Sequence, residues 1–421
     1  MSALPTSWVD IKLSEVAQVT SGVGFPNEYQ GHTSGDLPFF KVSDISHAVL
    51  ANRGELKTAN HYVTYEIAEK LKGKPLVPGS TVFAKIGEAV RLNRRATVVT
   101  PCLIDNNVMA VKAMEGVSDR YVHQFLRTVD FGESARSTTV PSLRKGDVEE
   151  LRFPLAPAAE QKRIADKLDT VLTRVDAVNT RLARVAPLLK RFRQSVLAAA
   201  TSGRLTEDWY EQNLDKSRAK FALGDLVVSI DQGWSPKCEA NAAPPDKWSV
   251  MKTTAIQALH FYPEENKELP YDLNPRPHLA LADGDVLITR AGPRSRAGIT
   301  CIVRGDQPML MLCDKAYRVR VDRSKIHPQM LNLLLNSPEV LDEIDGMKTG
   351  ISESGVNLTQ AKFRELALSV PHIAEQTEIV RRVETLFAFA DRLEARLAQA
   401  QTAATRLTPA LLAKAFRGEL V

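Results

Sequence analysis

Two groups of basic residues have the types and spacing to bind anions. Lys85, Arg91, Arg94 and Arg95 fall in AKIGEAVRLNRRATVV, where Glu88 is the one acid, and Arg290, Arg294, Arg296 and Arg304 fall in TRAGPRSRAGITCIVR, which has none. A guanidinium offers a planar fork of donors that suits phosphate oxygens and the acceptor edge of guanine. Gly87, Gly292 and Gly298 would let the backbone come close to such a ligand. A second pair of loops, RSTTVPSLRKGD and KTGISESGVNL, supplies small polar side chains such as Ser142 together with the charges of Arg144, Lys145 and Lys348. Groups of this kind hold phosphates. Trp234, in DQGWSP, has a face for stacking, although anchoring its own loop is the commoner use of such a residue.

Arrangements for covalent chemistry are thinner. Asp44 followed by Glu55-Leu56-Lys57 has the form of a nuclease carboxylate with E-x-K, a triplet that arises often by chance and has no counterpart in the second half. No G-x-x-x-x-G-K-[ST], H-E-x-x-H or paired C-x-x-C occurs. The aminomethyltransferase run Asn/Asp-Pro-Pro-aromatic is absent too, since Asn274-Pro275-Arg276-Pro277 does not satisfy it. Cys102, Cys238, Cys301 and Cys313 lack ligand spacing and read as reduced thiols, so no metal is expected. The chain has 421 residues, 44% of them hydrophobic, which is enough for two or three domains. No apolar run reaches the ~18 residues of a membrane span, and MSALPTSWVD has no signal-peptide pattern. A cytoplasmic protein is the expectation. The net charge of +5 is mild, and its distribution matters more than its size.

The elements that position these residues are duplicated. PAAEQKRIADKLDTVLTRVDAVNTRLARV, from Pro157, returns as HIAEQTEIVRRVETLFAFADRLEARLAQA, from His372, at an offset of 215 held from Leu143/Leu358 to Leu205/Leu420. Between 158–206 and 373–421, 15 of 49 positions are identical. Ile164, Leu168, Val171, Val175, Val178 and Leu182 follow a four-three rhythm, as do Ile379, Val383, Leu386, Leu393 and Leu397 with Ala390 between them. A repeat of 3.5 keeps one stripe toward a partner helix, so both copies predict a coiled-coil seam. Pro187 and Pro409 should kink or end each helix, leaving a long helix and then a shorter one. The first copy is basic, with ten Lys/Arg against four acids over 160–204, a face that is either solvated or turned to an anion. Apolar residues near Leu188, Val196, Leu412 and Phe416 could meet a partner protein.

Ahead of each helix lie roughly 150 residues that match in islands. LSEVAQVTSG pairs with LGDLVVSIDQG, VPGSTVFAKIG with ADGDVLITRAG, and DNNVMAVKA with DKAYRVRVD. TVFAKI and DVLITR, bounded by turn residues, read as strands. The offsets wander from 205 to 210 here, because loops tolerate insertions. The fold class is therefore α+β. Two similar domains with curved, mainly antiparallel sheets are joined by two long helices in an antiparallel coiled coil, with pseudo-two-fold symmetry. The boundaries are 1–154, 155–206, 207–370 and 371–421.

Several of these motifs resemble one family. They are Trp8 to Leu13, the Gly-Pro loops (Gly24 and Pro26, Gly233 and Pro236), LPFFKVSDI, the AEQ helix starts, and the closing RQSVLAAATSGRL and ALLAKAFRGEL. Together they are similar to the DNA specificity subunit of type I restriction–modification systems over essentially the whole chain. The resemblance implies two target-recognition domains that bind a two-part double-stranded DNA sequence with a fixed gap. It also implies assembly with two methyltransferase subunits and, for cleavage, restriction subunits. The chain itself would be non-catalytic and without cofactor, S-adenosylmethionine being expected on the methyltransferase. A coiled-coil scaffold without base readout is the alternative, with the Asp44/Glu55/Lys57 nuclease behind it. One difference from the repeat stands out: Pro371 directly precedes His372-Ile373-Ala374-Glu375, whereas Pro154 and Pro157 frame the first helix start differently.

Overall fold

The computed structural model describes residues 4–134, 141–212, 218–238, 241–350 and 353–420. By packing, the chain divides into two units, one made of Met1–Ala183 with Gln399–Val421 and the other of Arg184–Ala398. This partition differs from the four segments read from the sequence. Each unit takes a globular domain together with the helical stretches that cover it. The two cuts, after Ala183 and after Ala398, fall at equivalent positions of the repeat.

In the first unit a five-stranded sheet runs in the order Ala17–Ser21, Val108–Ala113, Thr81–Ala84, Arg95–Val98, Glu55–Leu56. Its pairs are antiparallel except the last. A three-stranded sheet adds Tyr62–Val63, Leu37–Phe40 and Leu103–Ile104, the last of these parallel to its neighbour. Val9–Lys12 pairs with Arg152–Leu155 and so ties the beginning of the domain to its end. The second unit repeats the core of this pattern, with Val227–Gln232, Ala316–Val321, Val286–Thr289 and Thr300–Ile302 in one antiparallel sheet. Ala219–Ala222 pairs with Ala367–Val370 to close that domain. TVFAKI and DVLITR are thus the central strands that the sequence predicts.

Five helices matter to the site: α1 (Asp119–Leu126), α2 (Ala158–Ala183), α3 (Val185–Ser202), α4 (Pro328–Leu335) and α5 (Ile373–Ala415). In the first unit Ile164, Leu168 and Leu172 of α2 join Tyr121, Phe125, Phe153, Leu412 and Phe416 in one core. Tyr121 packs on Phe416 at 4.9 Å between ring centroids and donates its hydroxyl to the Pro154 carbonyl at 2.7 Å. In the second unit Ile379 and Val383 of α5 join Val196, Leu197 and Ala200 of α3 and Leu331 and Leu334 of α4. Each fully buried side chain of this size contributes about 1.5–3 kcal/mol.

The apolar stripe therefore serves two purposes. Ile164, Leu168, Ile379 and Val383 seal domain cores, and Val175 and Leu397 are buried further along. Val171, Leu182, Leu386 and Leu393 are half-buried, and Val178 is 46% exposed. Within the second unit α3 and α5 run antiparallel. Arg193 reaches Asp391 at 2.6 Å and Glu394 at 3.1 Å, and its guanidinium lies 5.2 Å from the Phe387 ring.

Three expectations are corrected here. Pro187 occupies the first turn of α3, where a missing N–H leaves no bond unmade, and the break falls at Arg184 between α2 and α3. Pro409 does not end its helix, since the 43-residue α5 runs through it to Ala415. Val196, Leu412 and Phe416 are buried in domain cores and offer no docking face, whereas Leu188 is 53% exposed.

Candidate nucleic-acid interface

The basic loops of the first unit are held by the main chain. Lys85 donates its N–H to the Asn107 carbonyl at 2.8 Å, and its own carbonyl accepts from Leu143 at 2.9 Å. Gly87 N–H donates to Pro141 at 2.8 Å, and Ile86 bridges to Ser142. Val23 N–H donates to Ile104 at 3.0 Å, which brings the loop after the first sheet strand to the same edge. That approach requires glycine, because a Cβ on Gly22 would lie 2.1 Å from the Asp105 carbonyl oxygen. Four segments, 22–26, 85–87, 105–107 and 141–143, thereby form one rim at the ends of the sheet strands.

The second unit builds the same clasp. Arg290 N–H donates to Lys315 at 2.9 Å, and its carbonyl accepts from Leu358 at 2.7 Å. Ala291–Gly292 pairs with Val356–Asn357. Trp234 N–H donates to Leu312 at 3.0 Å, and a Cβ on Gly233 would lie 2.1 Å from the Leu312 oxygen. The structural partner of Gly233 is thus Gly22 rather than Gly24, which has open space around it.

The side chains on this frame have diverged. In the first unit Lys85 and Arg94 are half-buried and Arg144 is exposed, and none of the three enters an ion pair among the described residues. Arg91 is exposed with Glu88 at 3.7 Å, and Lys145 lies 3.4 Å from Glu149. Ser142 sits in the clasp itself. Arg95 is withdrawn into the domain. It donates to the carbonyls of Leu126 at 3.2 Å and Val129 at 2.9 Å, lies 4.2 Å from the Phe131 ring, and is held at about 9 by burial.

In the second unit the cations read from the sequence are mostly used internally. Arg290 binds the Asp314 carbonyl at 2.7 Å and Asn357 at 2.9 Å. Arg294 pairs with Asp345 at 2.6 Å and Glu353 at 3.3 Å. Arg296 donates to Gln257 at 2.9 Å and to the carbonyls of Thr253 and Ile256 at 2.8 Å each. Lys348 binds Asp345 at 2.7 Å and the Arg294 carbonyl at 3.0 Å, and Arg304 pairs with Glu384 at 2.8 Å. Arg290, Arg294, Arg296 and Lys348 brace loops in this way, whereas the Arg304–Glu384 pair lies at the surface. Gly298 packs against Ile344, while Gly87 and Gly292 have open space beside them. Residues 136–140 and 351–352 of the polar loops lie outside the described residues.

Other side chains take the outward positions of the second unit. Lys315 and Lys237 are exposed on the rim segments, and neither forms an ion pair among the described residues. Ser235 and Asp314 lock those two segments, the hydroxyl donating to the carboxylate at 2.5 Å and accepting from the Asp314 N–H at 3.1 Å. The exposed Arg276 lies with its guanidinium 4.1 Å from the centroid of Trp234. Stacking fixes the plane of the fork while leaving its edge donors available. Trp234 is thus a loop anchor that also positions an arginine. Only the approach of residue 276 to residue 234 in the fold reveals this pair; no local signal marks it.

The nuclease alternative loses its geometry. Both Asp44 carboxylate oxygens are engaged, accepting from the Lys41 N–H at 2.7 Å and Asn60 at 2.9 Å, and Glu55 pairs with Lys57 at 2.8 Å. Burial raises the thiols, Cys102 to about 12 and Cys313 to about 11. No group of three metal-binding side chains occurs, and no helix is long and apolar enough to cross a membrane, among the described residues.

Each unit is a copy of one domain and carries a pinned rim of loops with outward cations. Residues 5–186 match the family model described as the type I restriction modification DNA specificity domain. The chain is 32% identical over 430 residues to the type I restriction enzyme EcoKI specificity subunit of Escherichia coli (strain K12), covering 99% of this chain and 90% of that protein. It is 29% identical over 323 residues to the EcoEI specificity subunit of Escherichia coli, covering 70% of this chain and 53% of that one, and so aligns with about half of that relative. A solved structure concerned with complex assembly and conformational transition of the type I R-M system shares the fold at a TM-score of 0.70 and 20% identity, covering 100% of both chains. The chain belongs to the type I restriction–modification specificity subunits, a non-catalytic, DNA-recognising family.

Proposed function

We propose that this chain reads a two-part duplex DNA sequence, one part per unit, and brings methyltransferase and restriction subunits to it. The observation that carries this is the shared clasp with exchanged side chains. Lys85, Arg94 and Arg144 stand on the first frame, and Arg276, Lys315 and Lys237 on the second. One frame bearing two side-chain sets suits two different short sequences, since phosphate contacts position a protein while base-edge contacts specify the sequence.

In this reading two methyltransferase subunits and, for cleavage, restriction subunits are the partners. S-adenosylmethionine belongs to the methyltransferase, and the complex works in the cytoplasm on chromosomal DNA. Leu188 is an exposed apolar point for a partner subunit. A coiled-coil scaffold would need neither the clasp nor the outward cations. The test combines methylome sequencing of a host carrying the system with footprinting of the chain in complex with its methyltransferase. Two protected segments with a constant unread gap are expected. Absence of protection on a methylated site would overturn the reading.

A further inference from the structure

Two of the four acids of α2 are taken up by neighbours, while four of its five cations are not. Asp166 and Asp169 pair with Arg120 of α1, and Asp166 also binds Lys162 at 2.8 Å. Arg163, Lys167, Arg174 and Arg181 are all exposed, and none forms an ion pair or side-chain hydrogen bond among the described residues. At about 100° per residue these four positions fall within roughly 40° of one another, and at about 1.5 Å per residue they span roughly 27 Å. They form a straight positive stripe beside the buried face that carries Ile164, Leu168 and Val175.

The repeat supplies an internal control. The equivalent positions in the second copy are Glu378, Arg382, Phe389 and Arg396. There Arg382 binds Glu378 at 2.6 Å and Asp208 at 2.5 Å, and Phe389, which is 48% exposed, separates it from Arg396, whose charge alone has no ion pair among the described residues. Solvation alone asks the same of both helices. A run of unpaired cations on one of them answers to a ligand. A straight row of point charges several helical turns long matches a linear polyanion better than a compact anion.

We infer that the α2 stripe holds the phosphate backbone of duplex DNA, without reading sequence. This rests on the DNA reading above and adds a contact outside both loop clusters. Neutralising the stripe should then weaken binding to all duplexes alike, since phosphate contacts carry no sequence information.

The test compares the full chain, in complex with its methyltransferase, with the variant R163Q/K167Q/R174Q/R181Q on a random-sequence 40-base-pair duplex across a salt series. At about 0.9 unit of slope per phosphate, the log–log salt dependence should flatten by about three to four units, with affinity at low salt down at least tenfold. Lysine at all four positions should restore the parent slope, and circular dichroism controls for folding of these exposed substitutions. An unchanged slope in a folded variant that assembles normally would make the stripe a solvated face. Loss of assembly with the methyltransferase, measured by gel filtration without DNA, would instead assign it to an acidic protein surface. Should the parent complex itself show no salt-dependent DNA binding, the DNA reading fails along with this inference, so the two failures are distinguishable.

Discussion

The glutamine of each AEQ triplet shows what one residue does in both halves. Gln161 donates to the Ala156 carbonyl at 2.8 Å and accepts from the Ser118 N–H, the N-cap of α1, at 2.9 Å. Gln376 donates to Pro371 and Lys325 at 2.9 Å each and accepts from the His327 N–H, the N-cap of α4, at 2.8 Å. One buried amide thus joins the start of the long helix to the start of the domain helix. Replacing either glutamine with leucine leaves buried main-chain groups unpaired, at a cost of about 1–3 kcal/mol. A thermal melt should show a lower Tm, and an unchanged one would refute the lock.

His123, by contrast, distinguishes the units. It is half-buried, with its ring nitrogen 3.1 Å from the Thr81 hydroxyl, and desolvation pushes it down to about 3. Unfolded, it titrates near 6.5 and binds a proton that the folded state refuses, so stability is full above ~6.5 and erodes as pH falls toward 3. By pH 5 this amounts to at most about 2 kcal/mol at 1.36 kcal/mol per unit. The second unit has the buried Asn332 at the matching place in α4. His123→Asn should flatten the fall in Tm between pH 7 and 5, and parallel slopes for variant and parent would refute the assignment.

Base reading is decided at this scale too. Arg276→Ala should cost about 1–3 kcal/mol and relax one position of one half-site if the stacked fork is bidentate to guanine. Competition against single-base variants of the target measures this. A uniform loss across all variants would make Arg276 a phosphate contact.

At the level of elements, the two helical copies differ in continuity. α2 and α3 are separated at Arg184, whereas α5 is one helix. Their glycine ends agree: Gly203 and Gly418 both have positive φ, 88° and 74°, the left-handed conformation that closes a helix and that a side chain resists. This accounts for the shared Gly in GRL and GEL. If α2 length sets the unread gap, four residues inserted after Thr173 add about 6 Å. The methylated motif should then widen by about two base pairs, or binding should be lost. A methylome with the original gap and normal binding would sink the ruler idea.

For the whole molecule, the cuts at equivalent positions of the repeat mean that each unit uses helical segments from both copies. In the first unit Gly418 lies against Pro5, since a Cβ on Gly418 would be 2.3 Å from the proline ring. Linking the ends and opening the chain between Gln212 and Arg218 should therefore preserve the fold and DNA protection. A permutant with native circular dichroism and melting that fails to protect the target would argue against this geometry.

The duplication, the central strands and the helix starts were legible in the sequence, because local patterns of burial and capping write them in adjacent residues. The loops that carry cations were legible as loops. Which cations face outward was not: Arg95, Arg290 and Arg296 are bound to carbonyls brought from 24 to 43 positions away. The sequence likewise shows the seam positions of each helix but not which of them seal a domain, and it shows Trp234 and Arg276 but not that they stack. Charge and periodicity are properties of a segment, whereas a partner is a property of the fold; the tertiary structure alone decided which arginines were spent on holding loops and which were left facing outward.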